Sequence, residues 1–412
     1  MLDAFEPLSA EARLLILCAR MDLRADGEQA LTELLDGSLD WPAILNAADQ
    51  HFIMPLLARH LSGRGGAAVP DAVRAAVRDR HLRWAMQALQ LARVQQVLVE
   101  RVFGPAGVRH AFFKGATLAQ SYYGDPAQRQ YRDIDVLVEA ARIAEVGQAL
   151  LGLGYHVTNT AWETFRQRDL RAFCRYSCAL EMRSPQGVLV ELHKTVDSTG
   201  CIFASDQLLA RSHMPAQGRY AWQTLAPADL FVYLCYHHAR HRWSSLHWCA
   251  DLDVLTRHPD FEPVAVSRTA QAVALDLTLQ EALRLNEDLL ALALGKPGNS
   301  DRPASRFLAD CLAAVDAALT PDPETATPMG DPASDGAEIV GQSEPDFLYD
   351  WQFSRRYRRR FQLFRWRPSA NDVDAWPLPL GLHWLYYLWR PIRVASARLF
   401  RGSTAPAHHP TL

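Results

Sequence analysis

The sequence has very little lysine, no closely paired cysteines and no long apolar run. Of its 43 lysine and arginine residues, only Lys114, Lys194 and Lys296 are lysine, so arginine is the usual cation of this chain. Its seven cysteines contain no CxxC pair, which argues against a disulfide framework and indicates a reducing compartment. No apolar run approaches the roughly 18 residues that span a bilayer, and the first residues lack the pattern of a secretory signal. The sequence therefore predicts a cytoplasmic protein.

An overall excess of basic charge is also missing. The 412 residues carry a formal net charge of -3 at pH 7, and 49% of them are hydrophobic and 22% charged. These proportions are typical of a globular protein and exclude a disordered or fibrous one. Without a basic field around the whole molecule, nucleic acid is not an expected partner.

Helical and mixed patterns alternate along the chain. Apolar residues recur at helical spacing in residues 1–103 and again in residues 216–320. Between these regions, residues 104–215 contain short strand patterns separated by turns and helices. The sequence therefore predicts an α+β protein, with a small mixed-sheet core embedded between helical domains.

The predicted mixed-sheet core consists of five strands and two helices. Helices are expected over residues 116–123 and 139–151, and a turn at 184–187 joins the last two strands into a hairpin. The predicted strands are Val108–Lys114, Asp133–Val138, Tyr155–Thr158, Arg175–Met182 and Val188–His193.

The C-terminal part differs in composition from the rest. Residues 321–346 contain no lysine or arginine and are rich in Pro, Asp, Glu, Ser and Gly, which predicts a flexible acidic linker. Residues 347–412 interleave arginines with aromatic residues. We expect this tail to pack its aromatic rings on the body of the protein and to extend its arginines into solvent. Contact with an anionic membrane surface, nucleic acid or an acidic partner is the alternative.

Two aspartates lie two residues apart at the start of a predicted strand. Because side chains alternate across a sheet, Asp133 and Asp135 share one face. Two neighbouring carboxylates repel each other unless a cation lies between them, and Mg²⁺ prefers such oxygen ligands together with substrate phosphates. Glu191, on a later strand, could face the pair as a third acid, and His193 shares the face of Glu191.

A glycine turn before a predicted helix is a candidate phosphate site. Gly115 allows a phosphate to approach the backbone closely, and Lys114 beside it adds a positive charge. Arg129 and Arg132 are further cations that could neutralise a triphosphate, and Lys194 directly follows the Glu191-Leu-His193 strand.

Two histidines stand four residues apart in a predicted helix. His237 and His241 share one helical face, so they could bind zinc together. Packing is the favoured interpretation, because the neighbouring residues are those of a helical core. In that position the two histidines could also line a cleft and contact a base, a ribose or an acceptor.

Together these motifs resemble those of a known family. The motifs are Lys114-Gly115, Arg129 followed by Asp133-Ile-Asp135, and Glu191-Leu-His193, and a histidine-rich segment around residues 234–252 accompanies them. The chain resembles the uncharacterised nucleotidyltransferase family of bacterial gene clusters, which is part of the polymerase-β-like nucleotidyltransferase superfamily. The resemblance spans most of residues 105–255 and implies a small mixed sheet flanked by helices. The superfamily's usual Gly-Ser phosphate turn is replaced here by Lys114-Gly115-Ala116.

The resemblance implies transfer of a nucleoside monophosphate from a nucleoside triphosphate such as ATP. Two Mg²⁺ ions would serve an in-line displacement, and the acceptor would be a hydroxyl of a small molecule, a peptide or a protein. A non-catalytic binding module with the same fold is one alternative, and phosphoryl or glycosyl-phosphate transfer to a peptide is another. The predicted catalytic residues, which are also the predicted metal ligands, are Asp133, Asp135 and Glu191. The predicted nucleotide-binding residues are Lys114, Gly115, Arg129, Arg132, His193, Lys194, His237 and His241.

Overall fold

The computed structural model describes most of the chain outside the predicted acidic linker. The described residues are 7–62, 68–158, 170–197, 199–216, 218–296, 303–320, 357, 359–360, 363–364 and 366–400. The predicted linker at 321–346 therefore lies outside the described residues. Among the described residues, no helix is both long enough and apolar enough to cross a membrane.

The described part of the chain is mainly helical. In chain order its α-helices are α1 (Ala10–Cys18), α2 (Ala25–Leu35), α3 (Trp41–Gln50), α4 (Met54–Ser62), α5 (Asp71–Leu98), α6 (Gly104–Ala106), α7 (Gly115–Leu118), α8 (Ile143–Gly152), α9 (Leu170–Tyr176), α10 (Ser205–Arg211), α11 (Pro227–Arg240), α12 (Leu246–Arg257), α13 (Pro263–Ala272), α14 (Asp276–Ala293), α15 (Leu308–Leu319), α16 (Ala370–Ala375) and α17 (Tyr386–Phe400). Its strands are β1 (His110–Phe112), β2 (Asp133–Val138), β3 (His156–Val157), β4 (Ala179–Arg183) and β5 (Leu189–His193).

The chain folds into two compact units, each assembled from three stretches. The first unit contains the described residues within 1–96, 112–134 and 211–352. The second contains the described residues within 97–111, 135–210 and 353–412.

Helices α1 and α11 are both deeply buried in the first unit. Helix α1 begins where the Ser9 side chain accepts a hydrogen bond from the Ala12 backbone N–H at 3.1 Å. Helix α11 begins with Pro227. Proline is tolerated at this position because the N–H groups in the first turn of a helix have no intrahelical partners. Both helices bury most of their residues, so they form part of the core of this unit.

The five strands form one mixed sheet in the order β1-β2-β5-β4-β3. Strands β4 and β5 are antiparallel, and Glu181 lies directly opposite Glu191. The turn between them is closed by the Ser184 side chain, which accepts hydrogen bonds from the backbone N–H groups of Gln186 and Val188. This combination of a small mixed sheet and many helices confirms the predicted α+β class.

Some predicted boundaries are wrong. The segment Arg175–Met182 is not one strand, because helix α9 continues to Tyr176 and β4 begins only at Ala179. The Lys194 ammonium group donates hydrogen bonds to the backbone carbonyls of Cys174 and Arg175, at 2.8 and 3.2 Å, and so satisfies the end of α9. This contact comes from about twenty residues further along the chain, so local strand propensity could not reveal it.

Candidate functional site

Two acidic residues and one histidine come together in the second unit. Asp135 lies on β2, and Glu191 and His193 lie on the neighbouring strand β5. The His193 Nε2 atom is 2.9 Å from Asp135 Oδ1 and 3.1 Å from Glu191 Oε2. One potential ligand atom from each residue lies within 4.8 Å of the other two. We call these three residues the Asp-Glu-His cluster.

The alternation of side chains along β5 explains two members of the cluster. Val190 and Leu192 are fully buried on one face of the strand, so Glu191 and His193 both project from the other face. Asp135 is 3% exposed, although it lies in a strand whose other inner residues are apolar. A buried carboxylate is costly unless it is paired, which makes the contact between Asp135 and His193 important for this strand.

His193 is protonated at neutral pH in this arrangement. Burial opposes its protonation, but hydrogen bonds to Asp135 and Glu191 outweigh burial and raise the pKa of His193 to about 9. The resulting imidazolium compensates part of the negative charge of the two carboxylates.

The donor set of the cluster fits a divalent cation. Two carboxylates can provide the oxygen ligands that Mg²⁺ prefers, and substrate phosphates usually complete its coordination. The imidazole nitrogen adds a ligand that also suits Mn²⁺ or Zn²⁺, once it has released its proton. Asp135 and Glu191 are therefore the residues that would hold such an ion, with His193 hydrogen-bonded to both.

Asp133 and Glu181 lie on strands β2 and β4 of the same sheet but do not belong to the cluster. Asp133 is the first residue of β2, is half-buried, and is not among the described residues that bring their ligand atoms together. Its role as a third acid stays a prediction. The sequence gives no sign of a role for Glu181, which the strand register places opposite Glu191. Burial, followed by the charge of Glu191, raises the pKa of Glu181.

Gly115 adopts a backbone conformation that other residues avoid. Its φ is +56°, and a Cβ atom at this position would lie 3.2 Å from the Asp133 backbone oxygen. The glycine therefore lets the Lys114-Gly115 turn approach the beginning of β2 closely.

We expect Gly115→Ala to destabilise the protein more than Gly124→Ala does. Gly124 also has a positive φ, +82°, but a Cβ atom there would meet no atom within 4 Å. The backbone conformation alone costs about 1–2 kcal/mol for alanine, and crowding against Asp133 adds about 1–3 kcal/mol. Denaturant unfolding of both variants measures the difference, and equal losses of stability would show that the approach to Asp133 is unimportant.

Lys114 lies beside aromatic rings in the first unit. Its Nζ atom is 5.8 Å from the ring centroid of Phe113 and 5.9 Å from that of Tyr233 on α11. A cation at this distance from an aromatic face is attracted to the ring. The ammonium group is thus held next to α11, where the predicted histidines lie.

A row of aromatic rings extends along α11 and on to α12. The Tyr233 and His237 centroids are 5.7 Å apart, those of His237 and His241 are 4.9 Å apart, and those of His241 and Trp248 are 5.6 Å apart. We call these four residues the aromatic row. Within the part of the chain that the structure describes, these histidines are not in a group of three metal-ligating side chains.

Both histidines of the aromatic row are neutral. Burial, followed by the charges of Arg240 and Lys114, lowers the pKa of His241 to about 3. Burial also lowers the pKa of His237 well below 6.5, and the charge of Lys114 is the next cause. The aromatic row therefore presents uncharged ring faces next to a fixed positive charge.

Arg129 forms a buried ion pair in the first unit. Its Nε and Nη2 atoms donate hydrogen bonds to the two carboxylate oxygens of Asp251 at 2.7 and 2.8 Å. The Tyr123 hydroxyl donates a third hydrogen bond to Asp251 at 2.8 Å. Arg129 is 6% exposed and Asp251 is completely buried. The pair joins α12 to the segment that precedes β2, and a nucleotide contact of Arg129 stays a prediction.

Arg132 is more exposed than Arg129. Its guanidinium carbon lies 4.4 Å from the centroid of the Phe52 ring. The other predicted cation, Lys194, donates hydrogen bonds to backbone carbonyls at the end of α9. Nucleotide contacts of Arg132 and Lys194 stay predictions.

Comparison with known proteins supports the resemblance that the motifs indicate. A search of curated proteins found no match to the chain. A family model described as an uncharacterised nucleotidyltransferase matches residues 37–291, a range that includes all members of the Asp-Glu-His cluster and of the aromatic row. Because this range covers more than half of the 412 residues, the chain belongs to the uncharacterised nucleotidyltransferase family.

Proposed function

We propose that this protein transfers a nucleoside monophosphate from a nucleoside triphosphate to a hydroxyl group in a Mg²⁺-dependent reaction. The observation that carries the proposal is the Asp-Glu-His cluster, whose potential ligand atoms lie within 4.8 Å of one another. It occurs in a chain of a nucleotidyltransferase family, and its two carboxylates are suited to binding Mg²⁺.

In this proposal the cluster residues have different tasks. Asp135 and Glu191 bind the metal, and Asp133 is the proposed third acid. His193 contacts both carboxylates and holds them in position, in addition to its predicted contact with the nucleotide. When bound, a pair of Mg²⁺ ions would lower the pKa of the acceptor hydroxyl and compensate the charge of the leaving group. The acceptor oxygen forms a bond to the α-phosphorus, its proton is released, and pyrophosphate leaves.

The residues proposed to bind the nucleotide supply positive charge, close backbone approach and neutral rings. Lys114 and Arg132 supply positive charge for the phosphates, and the Gly115 turn allows close backbone approach. Three rings of the aromatic row, those of His237, His241 and Trp248, are only partly buried, and stacking of a nucleobase on such a ring is typically worth about 1–3 kcal/mol. Arg129 and Lys194 remain proposed contributors of positive charge.

The proposed reaction is tested by incubating the protein with each of the four nucleoside triphosphates and Mg²⁺ in a clarified lysate. We expect pyrophosphate release and transfer of label from the α-phosphate to an acceptor. Release of a nucleoside diphosphate instead would indicate phosphoryl transfer. Nucleotide binding without turnover, unaffected by Mg²⁺, would indicate a binding module. The mass added to the acceptor distinguishes nucleotidylation from phosphoryl transfer and from binding without turnover.

His193→Ala is expected to weaken binding of Mn²⁺, used as a spectroscopic substitute for Mg²⁺, by about 10–100-fold. The substitution removes the group that contacts both carboxylates of the cluster. His156→Ala is a matched control, because His156 is an exposed histidine on β3 of the same sheet. Titration with Mn²⁺ followed by electron paramagnetic resonance measures both affinities. Equal Mn²⁺ affinities of the two variants would show that His193 does not contribute to the metal site.

A further inference from the structure

Exposed apolar side chains are concentrated in the C-terminal part of the second unit. Thirteen large apolar side chains are exposed among the described residues, and eight of them lie between residues 363 and 392. Such a concentration is uncommon on a protein surface that faces only water. The eight residues are Leu363, Trp366, Trp376, Leu382, Trp384, Tyr387, Leu388 and Ile392.

Four of these side chains form one face of a helical segment. Trp384 lies in the 3₁₀ segment Leu380–Leu385, and Tyr387, Leu388 and Ile392 follow on α17. Their spacing of three, four and eight residues from Trp384 places them on the same side of the helix. Each is between 57% and 61% exposed. We call these four residues the apolar face.

The opposite side of the same segment is attached to the second unit. Tyr386 is fully buried, its hydroxyl donates a hydrogen bond to the Trp376 carbonyl at 2.8 Å, and its ring packs edge-on against Tyr176 of α9. Arg390 and Arg393 both pair with the buried carboxylate of Asp372 on α16. The apolar face is therefore displayed by a helix whose other side is fixed.

The sequence around the apolar face is strongly basic. Residues 347–412 contain eleven arginines and three aspartates, with no lysine or glutamate, whereas the whole chain carries a net charge of -3. One of the three aspartates, Asp372, is occupied by Arg390 and Arg393. Arg359, Arg360 and Arg367 are exposed in the described part of this segment. The charge of the segment thus complements an anionic surface.

We propose that the apolar face and the exposed arginines of the same segment bind the anionic headgroup layer of a phospholipid membrane. Tryptophan and tyrosine are favoured at the boundary between headgroups and acyl chains, and leucine and isoleucine can insert just below it. Arginines near the surface are attracted to anionic lipids. A surface that is both aromatic and cationic matches the acyl-chain boundary and the charged headgroups of such a membrane. Membrane binding of this kind does not depend on the proposed function.

Vesicle co-sedimentation of the full chain tests this proposal. We expect binding to vesicles of phosphatidylcholine mixed with phosphatidylglycerol, and much weaker binding to phosphatidylcholine alone. Raising the salt to about 1 M, where the Debye length is about 3 Å, should weaken the binding. Replacing Arg359 and Arg367 by glutamine should lower the affinity by about fivefold per arginine.

A pair of variants isolates the contribution of the apolar face. The double variant Trp384→Ser and Leu388→Ser removes two exposed apolar side chains that are four residues apart. The control Leu82→Ser and Met86→Ser removes an exposed pair with the same spacing on α5. Both should fold like the parent, as judged by circular dichroism, and only the first should lose binding to anionic vesicles by tenfold or more, about 1.4 kcal/mol or above.

Three results would overturn the proposal. The first is equal binding, or no binding, to the anionic and the neutral vesicles. The second is an equal loss of binding in both double variants. The third is self-association of the parent chain that the Trp384→Ser and Leu388→Ser variant abolishes, because the apolar face would then be an interface between two copies of the chain.

Discussion

Asp135→Asn is expected to reduce the rate of nucleotidyl transfer by about 10³-fold or more, while leaving the fold intact. The substitution keeps the shape of the side chain but removes the negative charge with which Asp135 would hold a divalent cation. Loss of one preorganised electrostatic contact to a transition state commonly lowers the rate by about 10²–10³-fold. Loss of a metal lowers the rate further, because the charge compensation that the ion would supply is also lost. Glu191→Gln should have a similar effect, because Glu191 completes the same cluster.

Glu139→Gln provides a control for Asp135→Asn. Glu139 directly follows β2, and its partly buried carboxylate pairs with the exposed Arg109 at 2.6 Å, outside the Asp-Glu-His cluster. Both substitutions remove one carboxylate charge from nearly the same part of the chain, but only Asp135 belongs to the cluster. Pyrophosphate release at saturating nucleotide measures both rates. Full activity of Asp135→Asn would contradict the proposed metal site.

Short-range periodicity explains why part of the site could be predicted from the sequence. Asp133–Val138 alternates and then becomes fully apolar, and the structure has β2 with the same bounds. The period of two also places Glu191 and His193 on one face of β5, where both contact the same site. These predictions need only the geometry of one strand, which is encoded in neighbouring residues.

Contacts between distant residues could not be predicted in this way. The sequence predicts Lys194 as a nucleotide ligand because it follows the strand with Glu191 and His193, but it does not reveal that the ammonium group is hydrogen-bonded to the carbonyls at the end of α9. The sequence predicts Arg129 as a cation near the acidic pair, but it does not reveal the ion pair that Arg129 forms with a residue 122 positions away. No local pattern specifies which buried carboxylate an arginine meets, because this depends on how the helices pack.

The buried pair of Arg129 and Asp251 leads to the largest expected effect on stability. Asp251→Ala should lower the free energy of unfolding by about 3–5 kcal/mol, because it leaves the Arg129 guanidinium buried without its partner. Asp251 has no exposed surface and accepts hydrogen bonds from Arg129 and Tyr123, so water cannot readily replace the lost carboxylate. Denaturant unfolding followed by circular dichroism measures the loss.

An exposed pair of the same chemistry is the matched control. Asp22 pairs with Arg59 at 2.8 Å, and the two side chains are 67% and 44% exposed. Because solvent screens this pair, Asp22→Ala should cost no more than about 1 kcal/mol. If Asp251→Ala were no more destabilising than Asp22→Ala, the buried pair would contribute little to the fold.

Removing both partners of the buried pair should be less harmful than removing one. In the variant Arg129→Met and Asp251→Leu, neither an unpaired charge nor an unpaired carboxylate remains, and apolar side chains fill much of the same volume. We therefore expect the double variant to be more stable than Asp251→Ala. The same double variant also tests whether Arg129 contacts the nucleotide. If the variant folds but no longer binds nucleotide, Arg129 has a function beyond its pairing with Asp251. Unchanged nucleotide affinity would assign Arg129 to the fold alone.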